Sequence, residues 1–291
     1  AAPFSNALGH QSTANGEQAI AIGEDSTANG IGSIAIGGNN DADGDGVPDQ
    51  GQGATTDGAD AIAMGAGASA TGPSTTSIGG EAVTNGPGST AIGWQSAATA
   101  ERAQAFGHLA TAQGVRSLAI GENADAQSDL STAIGNEAIA NGTDALAIGD
   151  TASATGPSTT SVGGESVTNG PGSTAVGWQS AATAERAQAF GHLATAQGER
   201  SLAVGENADA QSDLSTAIGN EAIANGTDAL AIGDTSVATG PSTTAVGGES
   251  VANGPGTTAL GWQANAAAPF SNALGHQSTA NGEQAIAIGE D

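Results

Sequence analysis

The large apolar residues of this chain sit at one phase of a 14-residue period. Leu8, Ile22, Ile36, Met64, Ile78, Ile92, Phe106, Ile120, Ile134 and Ile148 each stand just before a glycine, and the series continues to Ile288. Those glycines recur at 9, 23, 37, 51, 65 and every fourteenth position to 289, with only Gln50 breaking the apolar series before them. Halfway through each unit is a second small residue, glycine at 16, 30, 44, 58, 72 and 86, replaced by Ala100, Ser128, Ala184, Ser212 and Ala268. Between these punctuation points lie two short segments. One reads Ala-Ile-Ala-Ile at 19–22 or Ser-Leu-Ala-Ile at 117–120; the other reads Ser-Thr-Ala-Asn at 12–15 or Ala-Thr-Ala-Gln at 110–113. Both alternate with period two, the signature of short strands, and no 3.6-residue period occurs. Glycines seven residues apart mark two corners, where the backbone needs a positive φ or a close approach.

The pattern predicts an all-β, parallel β-roll solenoid with 14-residue coils and two short strands per coil. A single roll over 1–291 would hold about 20 coils, which at ~4.8 Å each span roughly 95 Å. Each coil has only one or two sizeable apolar groups, so a lone roll buries little apolar surface. Strand residues alternate between faces, so one apolar or small-residue row must point outward along the stack. That stripe predicts a homo-oligomer. Longer periods overlie the short one. Gly72-Pro73-Ser74-Thr75-Thr76 recurs at 156–160 and 240–244, an offset of 84 residues or six coils. Residues 267–291 repeat residues 1–25 without a difference, as expected of a window on a longer tandem fibre.

Composition supports repeat stacking over an ordinary globule: glycine is 47 of 291 residues, aromatics are 2%, and tyrosine and cysteine are absent. Units that bury their faces on neighbours can replace a bulky core. Thirty acidic residues against four arginines and no lysine give a net charge of −26. Nucleic-acid binding requires the opposite sign. A surface of this charge repels anionic lipid and attracts divalent cations. No segment is long and apolar enough to insert into a membrane as a helix, so any anchor is expected outside this segment. No Ser-His-Asp set or carboxylate pair rises above the repeat background, so the sequence predicts no enzyme.

The units Gln18-Ala19-Ile20-Ala21-Ile22-Gly23 and Ser12-Thr13-Ala14-Asn15-Gly16 resemble the head repeats of YadA-like trimeric autotransporter adhesins, also called haemagglutinin-type repeats. The resemblance covers nearly the whole chain. It implies a left-handed parallel β-roll, a homotrimer, and display on the bacterial cell surface with the outer-membrane anchor outside this segment. It also implies binding to host matrix, other cells or abiotic surfaces. The predicted role is a structural and adhesive module of a long extracellular fibre that presents corner residues for multivalent attachment. Two alternatives are an ice- or crystal-surface-binding solenoid, suggested by the Ser-Thr-Thr stretches at 74–76, 158–160 and 242–244, and a purely structural matrix fibre. Against the first, threonine at a fixed repeat position is interrupted by Ile, Leu, Ala and Gln.

Residues 38–53 depart from the pattern while the 14-residue register resumes after them. Pro48 and Gln50 would fall at core positions, which predicts an acidic loop projecting from the roll. Within it Asp41, Asp43, Asp45, Val47 and Asp49 match the first positions of a calcium loop, with Gly46 at the sharp turn and Gln52 where a twelfth-position glutamate would stand. Calcium at 41–52, helped by Asp57 or Asp60, is one reading; a solvated acidic loop without an ion is the other. His10, His108, His192 and His276 follow corner glycines and read as corner or interface residues. Trp94, Trp178 and Trp262 take the same slot one coil before a histidine, able to cap a face, stack across chains or stack on a ligand. Glu101-Arg102 and Glu185-Arg186 read as surface or inter-chain ion pairs of small worth.

Overall fold

Alternation of a small inward residue with larger outward ones fixes the geometry of every strand. In Leu118–Ile120 the central Ala119 is fully buried, whereas Leu118 and Ile120 are partly exposed. In the two-residue strand Thr111–Ala112 the threonine points out and the alanine in. The computed structural model describes residues 2–41 and 46–290, and among them all regular structure is strand. Three-residue (wide) and two-residue (narrow) strands alternate along the chain, one of each per 14-residue coil, in a parallel β-solenoid of about 20 coils.

Two compact units divide the chain, Ala1–Ala145 and Leu146–Asp291. Among the described residues of the first, nine wide strands run from Asn6–Leu8 to Thr132–Ile134 and nine narrow strands from Thr13–Ala14 to Ile139–Ala140. In the second, eleven wide strands run from Leu146–Ile148 to Ile286–Ile288 and ten narrow strands from Ser153–Ala154 to Thr279–Ala280. Within each unit wide strands pair only with wide strands and narrow with narrow, all parallel. Ile120 lies beside Ile134 in the first unit and Ile218 beside Ile232 in the second, a register of 14.

The interior differs from the sequence expectation. It consists of alanine columns such as Ala189, Ala203, Ala217 and Ala231, joined by serine and threonine, and the largest fully buried side chains are threonines. The Ile, Leu and Val before each corner glycine lie outside. Positions 48 and 50 are therefore not core positions, because their neighbours in the repeat, Ile34 and Ile62 for one and Ile36 and Met64 for the other, point outward. The physical reason is space: two strands two or three residues long, folded face to face, enclose room for side chains no larger than threonine.

Corner chemistry explains the serines. Gly93 accepts both the N–H of Ser96 (3.3 Å) and its Oγ–H (3.0 Å), so the buried hydroxyl is satisfied within the turn. The third residue of each turn is left-handed even when it is not glycine, as with Leu109 at φ 57° and Arg116 at φ 59°. Such a residue costs about 1–2 kcal/mol. The cost is offset by ladder bonds that the conformation aligns: Leu109 donates to Trp94 O (3.0 Å) and Arg116 to Glu101 O (2.9 Å). The two glycine columns have different causes. Gly121 has φ +132°, and a Cβ there would collide with the carbonyl of Gly135. The second column has ordinary φ, the backbone conformation that also admits the alanine and serine found there at 100, 128, 184, 212 and 268.

Across 38–53 the pairing offset doubles. Ile36 pairs with Met64 and Thr27 with Thr55, both 28 residues apart. The N–H of Ala54 donates to Gly37 O (3.2 Å), the bond that elsewhere closes a four-residue corner. One coil's length of chain is thus spent inside a single turn, so the sequence register shows no break. Gly51 belongs to this excursion and not to the corner column: nothing lies within 4 Å of where its Cβ would be, and Gly37 stacks on Gly65.

Candidate functional site

Two outward rows flank the buried alanine on the wide face. The second is apolar throughout: in the first unit Ile22, Ile36, Met64, Ile78, Ile92, Phe106, Ile120 and Ile134, and in the second Ile148, Val162 and so on to Ile288. Several remain substantially exposed, among them Ile92, Ile120, Val176 and Leu260. The first outward row mixes Ile20, Ile34 and Leu118 with Thr76, Thr90 and Gln104. The narrow face carries a mixed row, for example Thr195, Asp209, Ile223 and Val237. Hydrogen bonds link its polar members between coils, as from Thr195 Oγ1 to Asp209 Oδ1 (2.7 Å). The predicted outward stripe is therefore placed on the wide face.

The corner at the end of each wide strand holds the aromatic residues. Trp94 stacks on His108 with ring centres 5.0 Å apart and planes 14° from parallel; Trp178 on His192 and Trp262 on His276 do the same. These contacts are between successive coils of one chain. On the far side of each imidazole, Nδ1 lies 3.5 Å from Glu122 or Glu206 and 3.7 Å from Glu290, in exposed pairs. His10 lies 3.3 Å from Glu24 in the same way without a tryptophan. The Trp–His spacing is visible along the sequence, but the whole column Gly-Trp-His-Glu appears only when the chain is written in rows of 14. Arg102, Arg186 and Arg200 lie 3.7–3.8 Å from Glu101, Glu185 and Glu199 at the opposite corner, all exposed.

The Ser-Thr-Thr stretches do not form a flat hydroxyl surface. Ser74 sits in the corner, Thr75 points inward and donates to Gly72 O (2.8 Å), and only Thr76 faces outward.

Of the five residues matched to a calcium loop, Asp43 and Asp45 lie outside the described residues. Asp41 and Val47 are exposed and Asp49 is half-buried. Asp41 Oδ2 accepts the N–H of Gly46 (2.8 Å), and the N–H of Asp49 donates to Asn40 O (2.7 Å). Among the described residues no group of three metal-ligating side chains converges. Asp57 and Asp60 are not part of this loop: Asp57 accepts from Asn29 Nδ2 (2.7 Å), and Asp60 lies in the Gly58–Ala61 turn at the next corner. The loop's base is held by Asp25, whose Oδ2 accepts from the N–H of Gly51 and from Asn39 Nδ2, both at 2.8 Å. These donors, Gly51 first, and the nearby His10 hold the Asp25 carboxyl below its usual range, against a smaller opposing effect of burial.

No helix among the described residues is long and apolar enough to cross a membrane. The family model "YadA head domain repeat (2 copies)" matches the chain in successive stretches from 5–26 and 14–40 through 98–124 and 182–208 to 266–289. Among solved structures, the collagen-binding domain of the Yersinia adhesin YadA is similar at 18% identity, covering 89% of this chain and 81% of that one, with a TM-score of 0.19. No curated protein matches.

Proposed function

Because the chain belongs to the YadA head domain repeat family, we propose that it is an adhesive module of an extracellular fibre, three copies forming one head displayed on a bacterial surface by an anchor outside this segment. The observation that carries this reading is the uninterrupted apolar row on the wide face, beside a narrow face whose outward row is mixed and hydrogen-bonded. A row of half-exposed Ile, Leu and Val running along each unit is costly in water at ~25 cal/mol per Å². Burying it against two further copies leaves the corners and narrow faces outward. Those corners repeat with the 84-residue period, so weak contacts of the same kind would add along the fibre. The test is retention under flow of beads coated with the folded module on matrix-coated and bare glass. Retention above that of beads coated with heat-unfolded module supports adhesion; equal detachment on both surfaces contradicts it.

The proposal extends to calcium at the Asp41, Asp43, Asp45, Val47 and Asp49 loop. Its support is the alternate-aspartate spacing together with the Gly46 N–H closing on Asp41. Chelator is expected to speed proteolytic cleavage within 41–52 and added calcium to restore protection; cleavage indifferent to both contradicts it.

A further inference from the structure

The tryptophan corners carry a geometry that neither the repeat nor trimer formation requires. In the second unit the corner column reads, coil by coil, Asp150, Gly164, Trp178, His192, Glu206, Asn220, Asp234, Gly248, Trp262, His276 and Glu290. Each indole lies with one face on an imidazole and the other toward a glycine. A Cβ on Gly164 would stand 3.2 Å from Trp178 Cδ1 and 3.7 Å from Nε1, and Gly248 and Trp262 repeat those distances. No side chain occupies the column at the glycine coil, so each indole overhangs a step one coil deep, and each is about 45% exposed. Two carboxylates border the step. One belongs to the column residue of the preceding coil, Asp150 or Asp234, the latter already accepting at Oδ1 from Asn220 Nδ2 (3.0 Å). The other stands beside the glycine: Glu165 or Glu249, held by Gln179 Nε2 (2.7 Å) or Gln263 Nε2 (2.8 Å).

We propose that each glycine–tryptophan step binds a cationic side chain, a guanidinium by preference over an ammonium, presented by a basic polypeptide. A π-face roof with carboxylates on two sides suits a planar cation, which stacks on the indole while donating to the acids. A neutral donor could hydrogen-bond to the carboxylates, but only a cation gains as well from their charge and from the net charge of −26. The first unit contains an internal control. At Gly80 and Trp94 the lateral acid Glu81 is present and held by Gln95 (2.7 Å), but the preceding column residue is Ala66. That step has one carboxylate where the others have two, and it binds more weakly. The inference names a ligand chemistry for the adhesive reading but rests on the step geometry alone, so it succeeds or fails whether or not three copies associate.

The test titrates the whole chain with acetyl-triarginine-amide and follows tryptophan fluorescence. A saturable change that salt weakens is expected, larger in affinity than for the trilysine peptide and absent for triglutamine. The variant Gly164→Asn/Gly248→Asn fills both steps while keeping the indoles. It should fold, because Asn136 and Asn220 already occupy this column, and it should bind about tenfold more weakly. Trp178→Leu/Trp262→Leu should lose binding while Trp94 still reports on the weaker site. No fluorescence change with triarginine, or parental affinity in the filled and correctly folded variant, overturns the proposal. Sedimentation of the Arg102→Gln/Arg116→Gln/Arg186→Gln/Arg200→Gln variant separates the two sources of the cation. Loss of concentration-dependent association beyond the basic oligomer assigns the step to arginines of neighbouring copies, and unchanged association with peptide binding retained assigns it to a foreign chain.

Discussion

The wide and narrow faces of each coil share one kind of interior and differ in their exteriors. Ala217 under the wide face and Ala224 under the narrow one are both fully buried, among alanine, serine and threonine alone. Outside, the wide face presents Ile218 and Ile232, whereas the narrow face presents Asp209, Ile223 and Val237 in a mixed row. Coil closure and surface character are thus written in different rows of the same strands. The inner row closes the coil and is the same on both faces; the outer row is apolar throughout on the wide face and mixed on the narrow one.

Substitutions in the two faces should have very unequal effects. The largest effect is expected from Val204→Glu/Ile218→Glu/Ile232→Glu, which places three carboxylates on the wide face. Each unpaired charge buried there costs about 3 kcal/mol or more, so the oligomer should dissociate with its strand signature in circular dichroism intact. The matched narrow-face variant Thr195→Glu/Ile223→Glu/Val237→Glu should keep its mass. Next come changes in the inner row. Ala217→Leu has no space to enter and should destabilise by about 1–3 kcal/mol or more, whereas Ile218→Leu one residue away should cost less than about 1.5 kcal/mol. Thermal unfolding of the pair reads the difference.

A smaller effect concerns the excursion at 38–53. Asp25 holds Asn39 and Gly51 with a carboxyl whose folded pKa is depressed. Its contribution is present above the ordinary aspartate value near ~3.9 and is lost as pH falls through the lower folded value. Hydrogen exchange at Gly51 should therefore be constant from neutral pH to about 4, after correction for the intrinsic rate, and lose protection below that. Asp25→Asn should lose protection at every pH. The smallest effect is expected from Arg186→Gln. Its exposed contact with Glu185 at 3.7 Å is worth roughly 0–1 kcal/mol, and high salt should erase even that.

Much of this architecture was legible in the sequence. The 14-residue glycine period, the alternation of Ser-Leu-Ala-Ile at 117–120 and the family resemblance at 12–23 each pointed to a two-sided parallel roll. What periodicity could not say was which phase of the alternation faced inward. Large apolar residues ordinarily mark the core, and that prior misplaced positions 48 and 50. Here coil volume overrides hydrophobicity: the enclosed space admits Ala119 and excludes Ile120. The unbroken glycine count also hid the excursion at 38–53, because an insertion one coil long returns the chain to the same phase. Left-handed Leu109 and Arg116 carried no signal at all, since neither residue type favours that conformation and only the ladder bonds at the corner hold it.

Burial of the wide-face apolar row between copies, as proposed, is checked most directly by the mass of the chain in solution. Sedimentation equilibrium should give three times the chain mass at micromolar concentration for the parent and one chain mass for Val204→Glu/Ile218→Glu/Ile232→Glu. A parent that sediments as a single folded chain, with its Ile and Val row open to water, would contradict it.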